Sequence, residues 1–320
     1  MTFTVVVTDR VSKTGLVTLD ADDRFSVERF GHSTSPGFIE ALTTADALIV
    51  RSATRVDREL IDAASSLRVV GRAGVGLDNI DVEAATSRGI AVFNAPDGNT
   101  VAAAELTMAL MLSLARRVPG ADRSIREGNW DRGRFQGVEL RGRTLGLIGA
   151  GRIGGEVARR AQAFGMTVLA YDPYLAPERA AELGVDLVPL GELISNADVI
   201  SLHVPLTDET RGLIGAEALG RVKKSAFVVN ASRGGVIDES ALATALVEGR
   251  LAGAALDVFE TEPLQSGSLL RQAPNLVLTP HLGASTTEAQ VGVARQVAAA
   301  IKDALVDGDL SAAVNADRLG

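Results

Sequence analysis

The sequence predicts an α/β fold in which parallel sheets are covered on both faces by helices, arranged as two domains. Three observations predict it. Short β-branched runs alternate with alanine-rich helical stretches almost from end to end. The series restarts at Thr144, where a glycine-rich turn sits between a strand and a helix. Finally, 320 residues suffice for two buried cores. Only 4% of residues are aromatic, so those cores must be built from Ala, Val, Leu and Ile.

In the first third, strands are expected at 3–8, 47–50, 69–72 and 91–94, and helices near 36–43, 57–63 and 81–87. The stretch 11–30 is ambiguous and offers only a strand near Phe25. Residues 100–117 read as a long helix that is apolar on most faces and therefore buried, ended or kinked by Pro119 and Gly120. Residues 121–140 are polar around the single Trp130 and read as an arm outside the core. A second αβ series runs from Thr144 to about Leu278. Residues 285–307 close the chain as an amphipathic helix, with Ser285 or Thr286 as N-cap and Glu288 in its first turn. The turn Asn94-Ala-Pro-Asp-Gly-Asn99 is the best boundary signal, since no Gly/Ser linker exists.

The formal charge of −8 argues against a nucleic-acid partner, and any anionic ligand would need a locally basic pocket. The absence of Cys excludes disulfides, thiolate metal sites and cysteine nucleophiles, and no metal is expected. The start lacks a basic and then apolar leader, and no apolar run is long enough to cross a bilayer. A cytoplasmic protein without a membrane partner is expected.

Residues 144–172 carry the strongest motif. A strand (144–148) enters Gly149-Ala-Gly151-Arg152-Ile153-Gly154, a helix follows to about Phe164, and a second strand (166–171) ends at Asp172. Gly149 permits the tight turn, Gly151 lets backbone approach a pyrophosphate, and Gly154 allows close helix–strand packing. Asp172 lies 18 residues past Gly154, where an acid meets adenosine ribose hydroxyls. A bare glycine turn needs no ligand; strand, helix, strand and acid together point to a dinucleotide. A carboxylate there would repel a 2′-phosphate, which favours NAD over NADP.

Only His32, His203 and His281 can serve as an imidazole acid/base. His281, in Leu276-Val-Leu-Thr-Pro-His-Leu-Gly-Ala-Ser, lies just past a buried strand, where ligands of open α/β sheets bind. His203 ends the strand 199–203 and reads as packing, with a nicotinamide pocket as the alternative; His32 reads as a solvated loop residue. Hydride transfer to a nicotinamide also needs a carboxylate behind the imidazole and a cation on the substrate carboxylate. Glu262, in Glu-Thr-Glu-Pro, suits the first role, and Arg233, in Val-Val-Asn-Ala-Ser-Arg-Gly-Gly-Val, suits the second. Taken singly, Arg233 is equally a turn-capping cation and Glu262 a surface acid. Spacing alone does not bring them together.

Over roughly residues 45–290 these segments resemble the D-isomer-specific 2-hydroxyacid dehydrogenase family. The resemblance implies a Rossmann NAD-binding domain (98–285) inserted into a discontinuous flavodoxin-like substrate-binding domain (1–97 and 286–320). Both would be doubly wound, with the two long helices as the crossings. It places the catalytic arginine on Arg233, its histidine-pairing glutamate on Glu262 and the catalytic histidine on His281. Cofactor contacts are implied at Gly149, Gly151, Arg152, Ile153, Gly154, Asp172, Val204, Ala231, Ser232, Arg233, His281, Gly283 and Ala284. Asp257 would hold the nicotinamide amide. Substrate contacts are implied at Arg51, Arg72, Val75, Gly76, Asn99 and Gln290, besides Arg233 and His281; at Val75 related sequences often carry a hydroxyl residue instead.

Two arginines at the ends of buried strands of an acidic protein call for an anion, unless Asp78 or Asp81 pairs with them. The implied reaction is NAD-dependent oxidation of D-3-phosphoglycerate. The alternatives are glyoxylate, hydroxypyruvate or another D-2-hydroxy acid, and an NAD-sensing binding protein. The resemblance further implies a homodimer through the NAD-binding domains, or a tetramer, with Arg132 or Arg134 reaching the partner's active site. Many relatives carry a C-terminal serine-binding regulatory domain; a chain stopping at Gly320 is expected to be a short form.

Overall fold

The computed structural model describes residues 2–319. The chain divides into two compact units, one made of residues up to Asn99 plus those from Ala284 on, the other Thr100–Gly283. The first unit contributes β1 (Phe3–Val7), α1 (Val17–Asp20), β2 (Phe25–Arg29), α2 (Phe38–Thr43), β3 (Ala47–Val50), α3 (Arg58–Ala63), β4 (Val69–Arg72), α4 (Val82–Ser87) and β5 (Ala91–Phe93). The second contributes α5 (Thr100–Arg116), α6 (Val118–Arg126), β6 (Thr144–Ile148), α7 (Arg152–Ala163), β7 (Thr167–Tyr171), α8 (Pro177–Leu183) and β8 (Asp186–Leu187). It continues with α9 (Leu190–Asn196), β9 (Val199–Leu202), α10 (Ala216–Arg221), β10 (Phe227–Asn230), α11 (Glu239–Val247), β11 (Gly253–Leu256) and β12 (Leu276–Leu278). The first unit then resumes with α12 (Thr287–Lys302).

The first unit's sheet has the order β2-β1-β3-β4-β5, with every pairing parallel. Alternate residues face opposite sides, as the strand period of two requires. Val5, Val7, Ile49 and Phe93 pack with Val293, Val297 and Ile301 of α12 on one face. Val6, Leu48, Val70 and Val92 meet Phe38, Leu42 and Ile61 on the other. The second unit's sheet runs β12-β11-β10-β9-β6-β7-β8, also parallel, and is likewise covered on both faces. Both sheets are doubly wound, so each has a point where the strand order reverses and a crevice opens at the carboxyl ends. In the second unit that point is β6, flanked by β7 and β9.

Four helix starts are fixed by side chains. Asp57, Asp81, Asp238 and Thr286 each accept an amide of the first turn of α3, α4, α11 and α12, a cap worth about 1 kcal/mol apiece. Asp81 is thus committed to a helix end. The ambiguous stretch 11–30 holds the short α1 and the edge strand β2, while the last helix gives way to a π turn at Asp303–Asp307.

One expectation around α5 is corrected. Pro119 does not simply end a helix but sits in the first turn of a new one, α6, where its missing N–H costs nothing. The joint is Arg117, with φ of 53°, so part of the polar arm is helical. The burial expected of α5 is met within its own unit. Met108, Met111 and Leu114 pack with Leu147, Val229 and Ala255 inside the helix's own unit. Among the described residues no helix is long and apolar enough to cross a membrane.

Candidate active site

In the second unit the site grows from the carboxyl ends of parallel strands. The glycine turn after β6 behaves as its spacing requires. Gly149 has φ of +88°, and a Cβ there would stand 2.6 Å from the His203 carbonyl oxygen and 2.8 Å from the Val204 side chain. A Cβ on Gly154 would collide with the Gly149 carbonyl. Above Gly151 nothing lies within 4 Å, so the cradle is open where a pyrophosphate would sit. Arg152 and Ile153 follow as the first residues of α7, which has no side-chain cap, so its leading amides remain for an anion. Asp172 closes the cradle: its Oδ2 accepts the Ala150 amide (2.9 Å) and its Oδ1 the Tyr174 amide (3.0 Å).

The loops after β10, β11 and β12 meet next to it. Asn230, buried at the end of β10, shapes the first: its Oδ1 accepts from the amide (3.0 Å) and hydroxyl (2.8 Å) of Ser232, and its Nδ2 donates to the Arg233 carbonyl (2.8 Å). A Cβ on Gly234 would collide with the Phe259 carbonyl, so that glycine lets the Arg233 loop press against the loop carrying Glu262. Gly283 in turn lies about 4.0 Å from the Ala231 carbonyl, measured from where its Cβ would be.

His281 and Glu262 form the central pair, with Nδ1 of the imidazole 2.7 Å from Oε2 of the carboxylate. Oε1 accepts the Phe259 amide (3.1 Å). Burial alone would raise the Glu262 pKa. The hydrogen bond and charge of His281, the Phe259 amide and the charge of Arg233 together hold it below the ordinary carboxylate value. An ionised Glu262 is an acceptor, so Nδ1 carries the proton and Nε2 is left for a substrate. Behind it, Glu239 at the start of α11 accepts the Glu260 amide (2.6 Å) and braces the loop. Burial pushes the Glu239 pKa up, opposed by that amide and reinforced by the charges of Glu260 and Glu262.

Asp257 is wholly buried, and its carboxylate faces the His281 loop. Oδ1 accepts from the Thr279 hydroxyl (2.6 Å) and the Leu282 amide (2.7 Å), Oδ2 from the Gly283 amide (2.9 Å). His281 itself has φ of 55°, a left-handed backbone that costs a non-glycine residue roughly 1–3 kcal/mol and must be held by its surroundings. Asn230, Thr279 and Glu239 were not singled out from the sequence. The only sign of the first was a polar residue closing an apolar strand.

His203 is a different object. Its Nε2 lies 2.9 Å from the Ser201 hydroxyl, and burial pushes its pKa down to about 4. It stays neutral where a catalytic imidazole would titrate. The unfolded chain binds a proton near pH 6.5 and the folded one only near 4, so stability should fall as pH drops through that window. Urea unfolding at pH 7 and pH 4.5 should show His203→Gln losing less stability than the wild type. The difference should be about 2 kcal/mol, and equal losses would contradict the assignment.

In the first unit, Arg51 follows β3 and Arg72 ends the adjacent β4. Asp9, with φ of 66°, accepts the Arg51 amide (2.9 Å) and the Thr54 amide (2.8 Å) and hydroxyl (2.6 Å). Burial lowers the Arg51 pKa, with the charge of Asp9 working the other way. The Arg72 guanidinium folds over Gly74, where a Cβ would collide with it. The Val75 carbonyl is taken by Asn94 Nδ2 (2.6 Å), and Gly76 follows in the same half-buried loop. Gln290, in the first turn of α12, donates to the Ala284 carbonyl (2.9 Å). Asn99 keeps a buried Oδ1 without a hydrogen-bond donor.

With this geometry in place, the comparison with known proteins is decisive. Residues 108–283, more than half the chain, match the NAD binding domain of the D-isomer specific 2-hydroxyacid dehydrogenases. The chain belongs to that family. It is similar to the D-3-phosphoglycerate dehydrogenase of Methanocaldococcus jannaschii, 54% identical over 85% of this chain and 52% of the relative. The enzyme of the same name from Synechocystis sp. is 49% identical over 97% of this chain and 56% of that one. The chain thus spans about half the length of the curated relatives it matches. A solved D-lactate dehydrogenase from Aquifex aeolicus, complexed with NAD and lactic acid, superposes with a TM-score of 0.84 at 30% identity, covering 96% of this chain and 97% of that one.

NAD fits the residues present: an open cradle at Gly151, uncapped amides at the start of α7, and Asp172 at the edge. Asp172→Ala should therefore narrow the preference for NAD over NADP about tenfold or more in kcat/KM. Equal use of both cofactors by the wild type would contradict the role.

Proposed function

We propose that this member of the family oxidises D-3-phosphoglycerate to 3-phosphohydroxypyruvate with NAD. The observation that carries the chemistry is the His281–Glu262 contact of 2.7 Å, with the charge of Arg233 bearing on the same carboxylate. In this reading Nε2 of His281 takes the proton of the C2 hydroxyl, and in reduction it returns that proton to the oxygen. Glu262 holds the ring by Nδ1 and stabilises the imidazolium that forms. Arg233 grips the substrate carboxylate and polarises the C2 oxygen. NAD, when bound, supplies the acceptor for the hydride that leaves C2.

The phosphate is assigned to Arg51 and Arg72. Arg72 ends β4 in register with Val50, Arg51 is the next residue after β3, and a half-buried guanidinium gains from an anionic ligand. Relatives named D-3-phosphoglycerate dehydrogenase, at 54% and 49% identity, support the same substrate. A panel of D-3-phosphoglycerate, glycerate, glyoxylate, hydroxypyruvate and lactate, followed by NADH absorbance, tests it. The phosphorylated acid should lead in kcat/KM by at least about tenfold, in line with one charge-assisted contact. A preference for glyoxylate or hydroxypyruvate would replace the substrate. Cofactor binding without any turnover would make the chain an NAD-responsive binding protein.

The assembly we propose is a dimer through the NAD-binding units. A groove of about 770 Å³ runs along the end strand β12 and is lined by Arg117, Arg123, Arg134, Arg143 and Arg271 together with Phe135. Beside it Val118, Ile125 and Trp130 are exposed, the last by 78%. An apolar rim around an open sheet edge suits a second copy of the chain. Light scattering at micromolar concentration should give twice the monomer mass; a monomer would contradict the proposal.

A further inference from the structure

We infer that Asp257, acting through Thr279, is the positioning element that fixes the left-handed backbone of His281 and aims its ring at Glu262. One residue takes four donors from a five-residue turn. The His281 amide donates to the Asp257 main-chain carbonyl (2.9 Å), and its carboxylate takes the Thr279 hydroxyl and the Leu282 and Gly283 amides. These donors lie on both sides of His281, so together they fix where the chain enters and leaves that residue. The carboxylate is wholly buried, and Glu262 lies on the same loop after β11, so one loop both clasps the His281 turn and carries its counter-acid. If the turn relaxes toward an ordinary backbone, the Cα–Cβ direction of His281 swings away from Glu262. Thr279 is the one side-chain donor in the set, so it can be changed without touching the backbone.

The activity arm of the test rests on the function proposed above; a spectroscopic arm does not. Thr279→Val keeps the shape and removes the hydroxyl, while Thr279→Ser keeps the hydroxyl. With NAD bound, Thr279→Val should lower kcat about tenfold or more and leave KM for NAD within about twofold, and Thr279→Ser should recover most of kcat. The hydrogen-bonded Nδ1 proton of His281, a downfield proton resonance identified by its loss in His281→Asn, should vanish or broaden in Thr279→Val and persist in Thr279→Ser. Wild-type kcat and an unchanged resonance in Thr279→Val would overturn the inference. A Ser variant no better than Val would overturn it too, because packing would then explain the loss. Failure of Thr279→Val to bind NAD or fold would show that the hydroxyl holds the domain rather than His281. If the wild type turns over none of the hydroxy acids, the proposed function fails, and the resonance alone decides the positioning role.

Discussion

Replacing His281 with Asn is expected to lower kcat by about 10²-fold or more while NADH still binds. Of the three histidines, His281 alone has a carboxylate on one ring nitrogen, with the other left for a substrate. His203 is half-buried beside Ser201 with its pKa pushed down to about 4, and His32 lies in an exposed turn of the first unit. Asn can still offer a hydrogen bond, but it cannot carry the proton between the C2 oxygen and solvent. Single-turnover absorbance with saturating cofactor separates this loss from a binding defect. Near-wild-type turnover in a folded His281→Asn protein would remove His281 from the mechanism.

The second large effect concerns the phosphate. Charge-assisted contacts are worth about 1.5–3 kcal/mol, so Arg72→Ala should raise KM for 3-phosphoglycerate roughly ten- to a hundredfold. Glycerate, which lacks the phosphate, should be affected far less. The contrast between the two substrates matters more than the size of either change, because a general disturbance of β4 would harm both. Arg72 lies folded over Gly74, so its loss leaves the neighbouring backbone unobstructed. Equal losses for both acids would mean that Arg72 does not read the phosphate.

Much of the fold was legible because parallel strands buried on both faces leave unbroken apolar runs, as at Ala47–Val50 and Val69–Arg72. The glycine turn after β6 was legible for a related reason: close backbone approach at Gly149 and Gly154 excludes every side chain. Local signals failed where two readings share the same residues. Pro119 stops one helix and opens the next, and only the left-handed Arg117 between them tells which. The edge strand β2 has one face against the core and the other open, so its pattern is weak. At the site, the residue types of Arg233, Glu262 and His281 could be read from the sequence, but their convergence could not. That convergence depends on Gly234 admitting the Phe259 backbone and on Asn230 and Asp257 turning inward from strand ends. The resemblance implies Asp257 as a ligand of the nicotinamide amide. The geometry adds the clasp on residues 279–283, which sequence spacing gives no means to see.

The central claim is that hydride leaves C2 of phosphoglycerate for the nicotinamide while His281 takes the hydroxyl proton. Incubating the wild-type protein with NAD and D-3-phosphoglycerate deuterated at C2, then weighing the NADH formed by mass spectrometry, tests this most directly. The account predicts NADH one mass unit heavier than that from unlabelled substrate, and a slower rate if bond cleavage limits turnover. Unlabelled NADH, or none at all while glyoxylate or hydroxypyruvate is readily reduced, would contradict it.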